Sequence, residues 1–134
     1  MTAILLNGRE LAKTMQEEIN AEVASFKAAH GVVPTIAVLR AGEDPASVSY
    51  AKAIEKAFGA RGMGFALHAL PESASQAELV DLVARMNTDP AVHGIMVQEP
   101  LPRGIDEAVV KEALSPQKDV DGVHPVNAGR LSQV

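Results

Sequence analysis

Three short aliphatic segments, separated by longer segments of helical pattern, place the strongest constraint on the fold of this 134-residue chain. The aliphatic segments are residues 34–41 (PTIAVLRA), 64–70 (GFALHAL) and 94–98 (GIMVQ), and each is bounded by Gly or Pro. Short runs rich in branched residues are typical of buried strands, and strands that alternate with helices favour right-handed crossovers. The pattern therefore predicts an α/β fold in three layers: a mostly parallel sheet with helices on both faces.

Capping residues mark where the intervening helices begin. Asn7 and Ser75 each precede a Glu by three residues, which is the spacing of a capping box, and Asp44 precedes a proline suited to a first helical turn. The predicted helices cover residues 7–30, 44–61, 75–88 and 105–114, whereas residues 118–134 show no clean helical period. The first helix is amphipathic, with an apolar stripe of Leu11, Met15, Ile19, Val23 and Phe26.

The composition excludes several classes of protein. Apolar residues make up 47% of the chain and charged residues 22%, a globular balance that a disordered tail, a collagen-like fibre or a long coiled coil does not have. The net charge of −5 argues against a broad nucleic-acid or anionic-membrane surface, and the lack of cysteine excludes disulfides and Cys-ligated zinc. No apolar run has the length of a membrane span, and the first ten residues do not resemble a signal peptide. We expect a cytoplasmic protein without nucleic-acid or membrane partners.

Open α/β sheets bind their ligands beyond the carboxyl ends of the strands. In this sequence, that rule indicates the loop after Ala41, the segment after Gln98 and the stretch around Asp121. We expect the functional chemistry of the chain to lie in these three places.

The first place, residues 42–47 (GEDPAS), reads by itself as an ordinary strand-to-helix junction. Tyr50 lies one turn into the following helix and shares a face with Ile54 and Phe58, because the three residues are four positions apart. As the only tyrosine, it fits either a half-buried core position or a plate on which a planar ligand stacks. The pattern leaves both interpretations open.

The second place, residues 97–102 (VQEPLP), has two prolines directly after a predicted strand. Prolines fix an extended backbone, so the segment fits either a strand terminator or a rigid wall of a binding site. Gln98 offers both a donor and an acceptor, which suits it to orient a lysine amine or a ligand amide.

The third place, residues 118–125 (KDVDGVHP), has two alternating carboxylates before a glycine. It fits a calcium-loop fragment, a solvated turn, or a site for the adjacent N–H donors of an aminopyrimidine edge. The stretch supplies too few oxygen ligands for a metal, and the four histidines are scattered, so we predict no metal site. The chain has no G-x-G-x-x-G or P-loop motif, and a nucleotide site within it is not expected.

Three motifs together resemble the bacterial bifunctional methylenetetrahydrofolate dehydrogenase/methenyltetrahydrofolate cyclohydrolase family: residues 44–50 (DPASVSY), 93–102 (HGIMVQEPLP) and 118–131 (KDVDGVHPVNAGRL). The resemblance covers essentially the whole chain. It implies an N-terminal α/β domain that carries the folate site, then a Rossmann-type domain that binds NADP, in a homodimeric parent enzyme. We expect residues 1–120 to form the folate-binding catalytic domain and residues 121–134 to begin the linker toward an NADP-binding domain absent from this chain.

The resemblance also implies which residues contact the tetrahydrofolate substrate. By the family pattern, Tyr50 stacks against the folate ring system, Gln98 orients a catalytic lysine and Asp121 hydrogen-bonds the pterin edge. Ser47 lies on the rim of the site, and Gly122 allows close approach of the backbone. The other expected contacts form a wall: Val97, Pro100, Leu101 and Pro102.

Two positions depart from the family pattern. Ile54 stands where the family has a lysine four residues after Tyr50, and Glu99 stands where it usually has an apolar residue. Lys52 and Lys56 do not substitute, because about 100° per residue places them roughly 160° and 120° from the face of Tyr50. Loss of a general acid or base typically costs about 10²–10⁴ in rate, whereas hydride transfer depends chiefly on placement of donor against acceptor.

The sequence thus predicts an NADP-dependent 5,10-methylenetetrahydrofolate dehydrogenase whose 5,10-methenyltetrahydrofolate cyclohydrolase activity is weakened or lost. The alternative is a non-catalytic folate-binding or structural paralogue, in which Ile54 completes an aliphatic core face. A dinucleotide fingerprint in the rest of the gene would favour the enzyme. Glu99 fits either an added carboxylate in the pocket or an outward, solvated side chain, and we expect the second.

Overall fold

A computed structural model describes residues 6–133 of the chain. The elements within these residues are α1 (Gly8–His30), β1 (Thr35–Ala41), α2 (Pro45–Gly59), β2 (Gly64–Leu70), α3 (Gln76–Thr88), β3 (Gly94–Val97), α4 (Glu107–Ala113) and α5 (Pro125–Leu131). The predicted strands and the first four helices are all present, with bounds that differ from the prediction by two residues or fewer.

The sheet has the order β2-β1-β3, and both pairs of neighbouring strands are parallel. The central strand β1 is buried on both faces, as its unbroken aliphatic sequence indicates. Ile36 and Val38 pack with Ile54 of α2 on one face. Ala37 and Leu39 join the larger core cluster on the other face, which includes residues of α3 and α4. This arrangement confirms the predicted three-layer, parallel α/β fold.

The predicted N-caps form at Asn7, Asp44 and Ser75, but of the two predicted capping boxes only the one at Ser75 is present among the described residues. Asn7 accepts a hydrogen bond from the Arg9 N–H at the start of α1. Ser75 and Glu78 form the reciprocal bonds of a capping box at the start of α3. Each cap satisfies backbone N–H groups that have no partner inside the helix, so the bounds follow from local hydrogen bonding.

Helix α5 is absent from the prediction because its sequence has no apolar period. His124 caps it through Nδ1, which accepts from the Val126 N–H at 3.1 Å, and Pro125 occupies its first turn. None of its residues is buried. Because the sequence of α5 has no hydrophobic period, only the cap and the first-turn proline could have identified this helix.

Helix α1 is amphipathic, but most of its apolar stripe is exposed. Val23 is buried, whereas Leu11, Met15 and Phe26 expose between 42% and 62% of their surface. Lys27 Nζ joins the helix to the loop before β2 by donating to the Gly62 carbonyl at 3.1 Å. The apolar period therefore identifies the helix without showing what covers it. Between residues 6 and 133, no helix is long and apolar enough to cross a membrane.

Candidate functional site

The three places expected to carry chemistry border one cavity of about 430 Å³ at the carboxyl edge of the sheet. The loop after β1, the segment after β3 and the stretch at residue 121 all contribute to it. Its lining residues are Asp44, Ala46, Ser47, Tyr50, Met96, Val97, Gln98, Glu99, Pro100, Asp121 and Val123.

A short parallel bridge brings residue 121 to this edge of the sheet. Ile95 N–H donates to the Lys118 carbonyl at 2.6 Å, and Ile95 pairs with Asp119 across the bridge. Gly94 permits the approach, because a Cβ there would come within 2.5 Å of Val120 Cγ1. The chain after β3 thus returns beside β3 itself and delivers Asp121 to the cavity.

The start of α2 ties the first loop to the segment after β3. Asp44 accepts from the Ser47 N–H at 2.9 Å, and this hydrogen bond lowers the pKa of the Asp44 carboxyl. Ser47 is buried, and its hydroxyl donates to the Glu99 carbonyl at 3.3 Å. Ser47 therefore holds two walls of the cavity together rather than lying free on its rim.

Tyr50 and Ile54 lie on the same helix in different surroundings. Tyr50 lines the cavity and exposes 56% of its surface, so it is not a core residue. Ile54 is 8% exposed and packs with Ile36 and Val38. It lines a second, apolar cavity of about 600 Å³ that shares Tyr50 and Met96 with the first. Position 54 is therefore next to the site but is not part of the lining of the first cavity.

Gln98 is a buried amide without partners. Its backbone N–H continues the sheet by donating to the Leu39 carbonyl at 2.9 Å, which fixes the position of the residue. The side chain is 5% exposed, and neither Oε1 nor Nε2 has a hydrogen-bond partner among the described residues. A buried amide without partners is costly, and a hydrogen-bonding partner from outside the described residues would satisfy it.

Glu99 borders the cavity and is paired with a lysine. Lys111 Nζ lies 2.5 Å from Glu99 Oε1 and 3.5 Å from Glu107 Oε2. The hydrogen bond to Glu99 is the main reason that the pKa of the Lys111 ammonium is raised. The expected outward, solvated side chain is thus partly correct: Glu99 is exposed, but it has a fixed partner.

The two carboxylates at the third place have separate roles. Asp119 accepts from the N–H groups of Gly122, Val123 and His124 and from the Asn127 amide. Burial acts to raise the pKa of Asp119, but these hydrogen bonds together lower it. This carboxylate organises the turn and is not available to a ligand.

Asp121 lines the cavity and has no hydrogen-bond partner among the described residues. Although the residue as a whole is exposed, partial burial of its carboxyl raises its pKa, and the negative charges of Asp119 and Glu99 add to the effect. Asp121 is therefore the carboxylate of the pair that has no hydrogen-bond partner among the described residues.

Three of the expected substrate contacts do not line this cavity. Leu101 and Pro102 line a third cavity of about 470 Å³ rather than the first, and Leu101 packs against the core. Pro100 borders both cavities. Gly122 has φ +70°, and a Cβ there would meet nothing within 4 Å. The left-handed turn therefore explains the glycine at position 122, and no described residue approaches its backbone closely enough to require one.

The described residues do not fit the diphosphate of a dinucleotide. Such groups bind to free N–H groups at a helix N-terminus that follows a strand. Helices α2, α3 and α4 each follow a strand, and the side chains of Asp44, Ser75 and Asp106 already accept from the first-turn N–H groups. These positions are therefore occupied by the chain itself.

Fold and site together define a class: an α/β domain with an open cavity at the edge of a parallel sheet, lined by an exposed aromatic ring, a buried amide and carboxylates. The family described as "Tetrahydrofolate dehydrogenase/cyclohydrolase, catalytic domain" matches residues 6–121. The chain belongs to this family, which confirms the predicted resemblance.

Individual relatives agree with this assignment. The bifunctional protein FolD of Heliobacterium modesticaldum is 50% identical over 131 residues, which cover 98% of this chain and 45% of that protein. The crystal structure of a FolD methylenetetrahydrofolate dehydrogenase/cyclohydrolase from Campylobacter jejuni matches with a TM-score of 0.92 at 37% identity, covering 97% of this chain and 46% of that one. A Trypanosoma brucei FolD, complexed with NADP cofactor and inhibitor, matches with a TM-score of 0.89 at 34% identity over 98% of this chain and 45% of that one. The chain spans about half the length of these relatives.

Proposed function

We propose that the 430 Å³ cavity binds a tetrahydrofolate one-carbon derivative, as the substrate site of a 5,10-methylenetetrahydrofolate dehydrogenase. The observation that carries the proposal is the convergence of Tyr50, Gln98 and Asp121 on one cavity from three separate parts of the chain. An exposed ring, a buried amide and an unpaired carboxylate are the groups needed to recognise a planar heterocycle with amide and amine edges.

Each of these residues has a distinct role in the proposed complex. The exposed ring of Tyr50 stacks on the folate ring system. The Asp121 carboxylate accepts from the adjacent N–H groups of the aminopyrimidine edge, and Gln98 orients the reacting region with its unpaired amide. Val97 and Pro100 form the wall, while Ser47 holds that wall against α2. Leu101 and Pro102 support the wall from its other side, and Gly122 provides the turn that presents Asp121.

The cyclohydrolase step is weakened or lost in this proposal. That step adds water to the methenyl carbon and moves protons as the ring opens, for which a buried lysine of lowered pKa is suited. Ile54 has no group that exchanges protons, and it is packed among aliphatic side chains. The unpaired amide of Gln98 supports the same interpretation, because the amine that it would orient is missing from position 54.

NADP is proposed to bind to a Rossmann-type domain outside residues 1–120, with residues 121–134 beginning the linker. The helix N-termini after each strand support this division, since a side chain of the chain itself already accepts from a first-turn N–H of each. This chain's part in the reaction is to hold the folate and to present its one-carbon unit. The full enzyme is proposed to be a homodimer in the cytoplasm.

One observation favours a second candidate, a folate-binding or structural paralogue without catalysis. Ile54 completes an apolar face with Ile36 and Val38, as a residue retained only for packing would. The two candidates differ in the longer protein: NADP reduction that depends on 5,10-methylenetetrahydrofolate supports the enzyme, and folate binding without turnover supports the paralogue.

The proposed site is tested by titrating the chain with tetrahydrofolate. Asp121→Asn should weaken binding by about 10- to 150-fold, which corresponds to the loss of a hydrogen bond to a charged group. Asp81→Asn, on the exposed face of α3, makes the same chemical change away from the cavity and is the control. Equal affinities of the two variants would contradict the assignment of the site.

A further inference from the structure

The cavity has an excess of negative charge. Asp44, Glu99 and Asp121 line it, and no Lys, Arg or His is among the described residues of its lining. Lys111 pairs with Glu99 but is not itself a lining residue. A ligand in this cavity meets carboxylates directly and an ammonium only indirectly.

The remaining lining suits a planar cation. Tyr50 exposes 56% of its surface beside these carboxylates, and a tyrosine ring attracts a cation placed over its face. Gln98, with 5% exposure and an amide without partners, contributes an unsatisfied polar group to the same wall. Carboxylates, an open ring and an unpaired amide occur together here, and a positively charged heterocycle satisfies all three.

We propose that the cavity selects folates whose ring system carries a positive charge, and that Glu99 is a specificity-determining residue for this preference. The inference rests on the proposed folate site and deepens it. The matching ligand is 5,10-methenyltetrahydrofolate, whose cation is shared between the two nitrogens that flank the one-carbon unit. Tetrahydrofolate has the same pterin, aminobenzoate and glutamate but lacks both the bridging carbon and the ring charge. The change in the affinity ratio between charge variants of the protein, rather than the ratio itself, therefore reports the effect of the charge.

Two substitutions should change the affinity ratio in opposite directions, one by removing the Glu99 charge and the other by removing the Lys111 charge that compensates it. A carboxylate several ångströms from the ring cation, in partly hydrated surroundings, changes the affinity by about 3- to 10-fold. Glu99→Gln should therefore lower the ratio of the two affinities by this factor, and it also removes the partner of the Lys111 ammonium. Lys111→Met should raise the ratio, because it leaves the Glu99 charge without compensation.

The experiment measures dissociation constants of the chain for 5,10-methenyltetrahydrofolate and tetrahydrofolate by anaerobic titration. Glu107→Gln is a matched control, since Glu107 contacts the same Lys111 ammonium and has the same side-chain exposure as Glu99 but does not line the cavity. It should leave the affinity ratio of the wild-type chain unchanged. The effect of Glu99→Gln should shrink when the salt concentration rises from 0.05 to about 0.5 M, because salt screens partly exposed charges.

The outcomes separate this inference from the proposed function. If both ligands bind and the ratio is the same in the wild type, Glu99→Gln and Lys111→Met, charge selection is wrong and the folate site stands. If Glu99→Gln and Glu107→Gln change the ratio equally, position 99 has no special role. If neither ligand binds to the wild-type chain, both the inference and the proposed site are overturned.

Discussion

The buried amide of Gln98 should lower the free energy of unfolding of the chain. Its side chain is 5% exposed, and both polar atoms of its amide are buried without a partner in the described residues. Replacing Gln98 by Met keeps a flexible side chain of similar size and removes both unsatisfied atoms. We therefore expect Gln98→Met to raise the free energy of unfolding and to weaken folate binding at the same time.

The size of the gain follows from the cost of burying the amide. A polar group left unsatisfied in a protein costs about 1–3 kcal/mol, and replacing it with an apolar group of similar shape recovers that cost. Small mismatches in packing reduce the gain, so we expect stabilisation of about 1–2 kcal/mol. Such an exchange of stability for binding is typical of functional polar residues.

Urea unfolding monitored by circular dichroism measures this effect, and Asn87→Leu is the matched control. The Asn87 amide donates to the Ala113 carbonyl and accepts from the Ser115 N–H, both at 2.8 Å. Removing this satisfied amide should destabilise the chain by about 1–3 kcal/mol. If Gln98→Met destabilises the chain as Asn87→Leu does, the Gln98 amide has a partner in the free protein, and its assignment to ligand recognition loses its basis.

Two further predictions concern the mechanism and the turn. In the full-length protein, Ile54→Lys should raise the rate of 5,10-methenyltetrahydrofolate hydrolysis, measured by the decay of its absorbance, by about 10- to 100-fold, because it introduces a proton-exchanging group beside the proposed site. If the wild type already hydrolyses this substrate at a rate that the variant does not exceed, another residue moves the proton and the predicted loss of cyclohydrolase activity is wrong. Asp119→Asn should lower the free energy of unfolding by about 1–3 kcal/mol at pH 7, because it removes a charged acceptor of several hydrogen bonds. The folded pKa of Asp119 is lowered, so its contribution is complete well above its unfolded pKa of about 3.9 and is lost as the pH falls below that value. The difference between the wild type and Asp119→Asn should therefore narrow below about pH 4 in urea titrations, and a constant difference would contradict the role of the charge.

Most of the fold was predictable because its signals are local. The caps at Asn7, Asp44 and Ser75 satisfy N–H groups within three residues of themselves, so the sequence around each cap contains the whole interaction. The aliphatic run of β1 reflects burial on both faces, as expected for the central strand of a parallel sheet that has helices on both sides. Helix α5 escaped prediction because none of its residues is buried and its sequence has no apolar period.

The site divides in the same way between local and distant interactions. The rule that ligands bind at the carboxyl ends of parallel strands indicated the three segments that border the cavity, but not which side chains in them are free of partners. Asp119 and Asp121 are equivalent in sequence pattern, and only the folded turn shows that Asp119 is consumed by hydrogen bonds while Asp121 faces the cavity. The sequence likewise does not show that packing buries the Gln98 amide without a partner, or that Lys111 of a following helix pairs with Glu99. Hydrogen-bond partners and charges at such separations are set by packing, and sequence periodicity contains no information about them.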